Sequence, residues 1–109
     1  MEITLDGISP SEQLLIRTQN SEYRFSIVDA SERRGTLSGG SLGEQKRDAV
    51  LVGSLSDNNG SFGNISTGLK TGKRALFYLT ARNGIERLIT SIIIGVSRSK
   101  QREEDKRAA

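Results

Sequence analysis

Between Lys73 and Val96, two runs rich in β-branched and aromatic residues flank Asn83-Gly84. That dipeptide tolerates positive φ at both centres of a type I′ turn, so the pattern predicts a β-hairpin of Lys73 to Ala81 against Glu86 to Val96. With Asn83-Gly84 as the loop, Arg82 faces Ile85, Leu79 faces Leu88, Phe77 faces Thr90 and Ala75 faces Ile92. One face then carries Ala75, Phe77, Leu79, Leu88, Ile92, Ile94 and Val96. The other carries Leu76, Tyr78, Ile89 and Ile93. A half-exposed antiparallel hairpin has one polar face, whereas both faces here are apolar. The hairpin is therefore expected to be sandwiched, either inside its own barrel or against a second copy. A bent hairpin serving both layers of one sandwich is the alternative. A chain of 109 residues has little material to cover two faces, which favours a homo-oligomer with Leu76, Tyr78, Ile89 and Ile93 at the interface.

The remainder reads as further short strands. Ile3 to Leu5 suits an edge strand ended by Asp6-Gly7 and Pro10. Gln13 to Thr18 and Glu22 to Asp29 flank the turn cluster Gln19-Asn20-Ser21. In the second of these, Tyr23, Phe25 and Ile27 alternate with Glu22, Arg24 and Ser26. Asp48 to Leu55 is a strand that is apolar on both faces in its middle. Ser56 to Ser61 has the composition of a flexible loop, and Phe62 to Leu69 is a weaker strand interrupted by Gly63, Asn64 and Gly68. Ser97 to Ala109 shows no apolar periodicity and is expected to be a charged tail, disordered or briefly helical. The expected fold is all-β: one domain over residues 1–96, a small barrel or sandwich of six to eight short antiparallel strands.

Composition narrows the chemistry. With no Cys and no His, disulfides, thiolate metal sites and the commonest zinc ligand and general base are all missing. Leu88 to Val96 is far shorter than the ~20 residues of a membrane-spanning helix. The acidic N-terminus lacks the apolar run of a secretory signal, so the expected location is cytoplasmic, with no membrane partner. The formal charge is +3. Arg98, Lys100, Arg102, Lys106 and Arg107 against Glu103, Glu104 and Asp105 put +2 of it after residue 96, leaving a nearly neutral body.

Arg33 to Gly43 is dense in glycine and matches several motifs by letter. Gly39-Gly40-Ser41-Leu42-Gly43 fits G-x-S-x-G, but the nucleophile elbow needs a strand before it, a helix after it and a histidine to take the serine proton. Leu37 to Ser41 has the letters of the ABC ATPase signature loop, which works only beside a phosphate-binding loop. Gly68-Leu69-Lys70-Thr71-Gly72-Lys73-Arg74 has three residues between its glycines where four are needed. It also has Arg74 where magnesium-binding Ser or Thr belongs, and a strand rather than a helix after it. Gly40-Ser41-Leu42-Gly43 is a GxxG without the helix pair of a KH domain. Asp29 to Gly35 is similar to the D-x-S-x-x-G motif of PilZ-type barrels, which bind a cyclic dinucleotide. It is one residue longer, and the upstream R-x-x-x-R arm is missing. What the similarity implies is that arginines beside a glycine-rich connection can grip a small anion.

These residues point to a non-enzymatic β-barrel module that self-associates through its C-terminal hairpin, with no cofactor and no metal. The alternative is a binder of nucleic acid or a (cyclic) nucleotide through the basic loops Arg33, Arg34, Lys70, Lys73 and Arg74, which requires those loops to converge. The glycines of the run are expected to shape a pliable connection between strands.

Overall fold

The computed structural model describes residues 2–4, 12–58, 61–66 and 68–100. Its strands are β1 (Glu2–Thr4), β2 (Glu12–Thr18), β3 (Glu22–Asp29), β4 (Arg34–Gly39), β5 (Arg47–Asn58), β6 (Ser61–Ser66), β7 (Gly68–Lys70), β8 (Arg74–Ala81) and β9 (Gly84–Lys100). They form a closed antiparallel barrel, β2-β3-β4-β5-β8-β9, with β6 added to β5 and a small β1–β7 pair beside it. The fold is the expected small β-barrel.

Closure depends on two long strands that change partner along their length. β9 pairs with β8 up to Ile92 and with β2 from Ile93 onward. β5 pairs with β4 over Arg47 to Val50 and with β8 over Ala49 to Leu55. From Leu37 one route round the barrel leads through Phe25 and Leu14 to Arg98. The other leads through Arg47 and the β5–β8 register to Gly84. One level of the barrel thus meets β9 near both of its ends. A stagger of that size means strongly tilted strands, and with only six of them the interior stays narrow enough for side chains to fill.

Side chains fill that interior. Leu14, Ile16, Tyr23, Phe25, Ile27, Leu37, Ala49, Leu51, Ala75, Phe77, Leu79, Ile93 and Val96 form one buried cluster, joined by Leu69 from β7. β3 and β8 lie three strands apart by either route, so Phe25 and Phe77 meet across the axis. Their ring centroids are 5.5 Å apart at 60°, a tilted geometry favourable to aromatic pairs.

Several expectations change. Arg34–Gly39 is not a pliable connection but a barrel strand, and only Gly40–Leu42 forms a short 3-10 turn. Its glycines let backbones approach: a Cβ on Gly35 would lie 2.0 Å from the Ser26 carbonyl oxygen, and one on Gly40 would meet the Tyr23 ring. A glycine-rich strand hides its alternation because it has so few side chains to alternate.

The last hairpin turns on Arg82-Asn83, with Ala81 opposite Gly84, Leu79 opposite Glu86 and Phe77 opposite Leu88. This is two residues from the expected register. Neither Arg82 nor Asn83 has positive φ, and glycine's freedom is used at Gly84, with φ of 135°. A shift of two preserves which face each residue occupies. Two bulges do not. Ala75 lies opposite the extra residue at Thr90–Ser91, and a second irregularity falls between Ile93 and Gly95. Ile93 therefore turns into the core, while Ile94 stands 58% exposed.

The Thr90 side chain completes the first bulge. Its hydroxyl accepts the Ala75 N–H at 3.0 Å and donates to the Ser91 carbonyl at 2.7 Å, filling a gap left in the ladder. β9 also runs four residues past the expected domain edge, because Ser97 to Lys100 pair with Leu15 to Glu12. Arg98 closes that end, its Nη2 2.9 Å from both carboxylate oxygens of the nearly buried Glu12. Leu5 to Pro10, Asn59-Gly60 and the tail from Gln101 lie outside the described residues.

Two substitutions test this account in denaturant titrations. Gly35→Ala forces two strands apart and is expected to cost about 2–3 kcal/mol, whereas Gly95→Ala, with open space around its Cβ, should stay within about 0.5 kcal/mol. Thr90→Val leaves the Ala75 N–H without its acceptor in a buried site, for a loss of about 1–3 kcal/mol. Thr90→Ser should keep most of the stability.

Candidate binding face

The filled interior leaves only outward positions for a ligand or partner. Strand register lines up Arg34, Val50, Tyr78 and Arg87 as one cross-strand row over β4, β5, β8 and β9. Tyr78 lies between inward Phe77 and Leu79 and is 41% exposed. Ile85, 74% exposed, pairs with Thr80 and sits diagonally from Tyr78, a separation of about 7–8 Å that side chains span. At the other end, Val28, Arg34, Gly35, Asp48 and Thr80 line a shallow depression of about 280 Å³. Tyr78 and Ile85 thus share the outer face of the hairpin, with Arg87 and Arg34 in the row of Tyr78 and Val28 beyond Arg34. Aromatic residues and arginine are the types enriched at protein interfaces.

Local structure positions Arg34. Val28 is the unpaired residue of a bulge, since Ile27 faces Gly35 and Asp29 faces Arg34. The β3–β4 turn is then held by the Asp29 carboxylate, whose Oδ1 accepts Ser31 Oγ at 2.8 Å and the N–H groups of Ser31 at 3.1 Å and Glu32 at 3.3 Å. Arg33 takes φ of 55°, and its carbonyl accepts the Leu51 N–H at 2.9 Å, tying the turn to β5. The Ser31 hydroxyl, the Glu32 N–H and nearby Arg34 hold the Asp29 carboxyl below the usual carboxylate range.

The expected anion site divides in two. Arg33 and Arg34 lie beside Val50 and Leu51, whereas Arg74 faces Leu55 from the opposite edge of β5. At about 3.3 Å per residue these points are roughly 15 Å apart along the strand. Lys70, Lys73 and Arg74 form their own group at the β7–β8 turn. There Lys73 Nζ is 3.0 Å from Ser66 Oγ, and Arg74 Nη1 donates to the Thr90 carbonyl at 3.3 Å. The five cations do not surround one phosphate.

The expected interface divides as well. Leu76 and Ile93 are 2% and 1% exposed within the single chain, and Ile89 is half-buried, leaving Tyr78 as the outward member. What the sequence reading missed were Val28, Val50, Asp48, Thr80, Ile85 and Arg87; the β5–β8 and β8–β9 pairings set Val50 and Arg87 beside Tyr78, and only the β4–β5 pairing brings Arg34 into that row. Ser41 is exposed in the 3-10 turn, with no α-helix after it. No protein-family model, curated protein or solved structure matches the chain.

The Asp29 turn gives the face a pH limit. Its folded pKa is lowered, so its contribution is complete above the ordinary carboxylate pKa of about 3.9 and is lost as pH falls through the lowered value. Asp29→Ala should flatten this part of the acid limb in stability-versus-pH curves. An NMR titration should place the native Asp29 midpoint below the ordinary aspartate value of about 3.9.

Proposed function

We propose that this chain is a non-enzymatic binding barrel that self-associates through the outer face of its C-terminal hairpin, with Tyr78 at the centre of the contact. The observation that carries the reading is the exposed Tyr78 diagonally beside the exposed Ile85 on the outer face of the hairpin. Buried aromatic anchors supply much of the energy of protein contacts. A two-fold contact would bring Tyr78 and its flanking arginines against the same patch of a second copy. Half-buried Ile89, next to Arg87's row, extends the apolar strip.

A second reading uses the same row: an aromatic ring with Arg34 and Arg87 on either side suits a nucleotide, its base on Tyr78 and its phosphate on a guanidinium. Asp48 in the adjoining depression would accept from a base N–H.

Sedimentation at micromolar concentration separates the readings. The native chain should be a dimer or larger, and Tyr78→Ala should weaken association through this face by about tenfold or more. Added salt should change the dimer little, whereas nucleotide or oligonucleotide binding should weaken steeply. A monomeric native chain rejects self-association, and the absence of a fluorescence change on titrating nucleotides at low salt rejects the second reading.

A further inference from the structure

The six-strand barrel hides most strand edges, but one hairpin extends beyond it. β8 leaves β5 at Leu55, yet β5 continues to Asn58 and turns back as β6. On the other edge of β5, β4 ends opposite Val50 and β6 begins opposite Ser54, so the two lie end to end. Among the described residues β6 pairs with β5 alone and is the last strand of its sheet. Its outer edge thus has no ladder partner among the described residues.

Exposed edges in soluble proteins are normally blunted by charge, proline or a bulge. Ser61-Phe62-Gly63-Asn64-Ile65-Ser66 contains neither charge nor proline, and Ile65 is 54% exposed. A two-stranded extension is also only marginally stable in water without a third strand. These facts call for a covering strand.

We infer that the covering strand is β6 of a second copy, paired antiparallel across a two-fold axis to make a four-stranded sheet from two hairpins. Self-pairing suits this segment because every residue brought opposite it is uncharged, so no like charges meet. The contact is separate from the Tyr78 face and does not rest on it. Each chain then has two self-complementary surfaces with different axes, a geometry that builds closed tetramers or extended filaments.

The absence of native cysteine makes the test clean. Single cysteines placed in turn at Ser61 to Ser66, in the otherwise full chain carrying Tyr78→Ala, are oxidised in air and followed as disulfide-linked dimers. Cross-linking should peak at one or two adjacent β6 positions, at least about tenfold faster than at Lys46→Cys, an exposed loop control. Ile65→Lys should abolish the peak. Equal rates in β6 and at Lys46→Cys overturn the proposal, as does a sharp peak that survives Ile65→Lys. Loss of the peak in Tyr78→Ala, with its presence in the native background, would assign the contact to the Tyr78 face instead.

Discussion

Closing a sheet of only six strands is the constraint on which the rest of this molecule depends. Closure imposes a stagger, and β5 and β9 accommodate it by serving different neighbours at different heights. Strands that wind this far cannot stay regular, and the bulges at Val52, Ala75–Ser91 and Ile94 are where they bend. Gly53, with φ of 150°, lies at one of them. Thr90 shows that the bending is built into the sequence, since its hydroxyl replaces a ladder partner.

Close approach to β3 is the second demand on this barrel. Gly35 and Gly39 sit where a Cβ would collide with β3, and Gly40 lies against the ring of Tyr23. A run that resembles nucleotide and nucleophile loops by letter has an architectural reason to be rich in glycine. Asp29 and its turn then connect that strand to the surface, so the position of Arg34 depends on β3–β4 packing as well as on its own charge.

Much of the fold was legible in the sequence because alternation is strong where side chains are large. Tyr23, Phe25 and Ile27 marked β3, and Ala75, Phe77 and Leu79 marked the inward face of β8. β4 was not legible, since Gly35 and Gly39 carry no side chain to report an inside or an outside. Without β4 the barrel has no closing pair, and Arg34 cannot be placed beside Val50 and Tyr78. The second apolar face of the last hairpin looked like an interface for a related reason. A bulge reverses alternation partway along β9, and Ile93 belongs to the core although its spacing put it with Tyr78. The face was thus half-visible: Tyr78 and Arg34 were picked out separately, and only register joins them.

Phe25 and Phe77 meeting on the axis also divides the labour within each strand. Inward residues are committed to filling a narrow interior, and their neighbours one position away carry none of that packing. Arg34, Val50, Tyr78 and Arg87 can therefore be exchanged as a set while the barrel is conserved. In evolution or engineering, this scaffold would change its partners along alternate residues, with the intervening ones left alone.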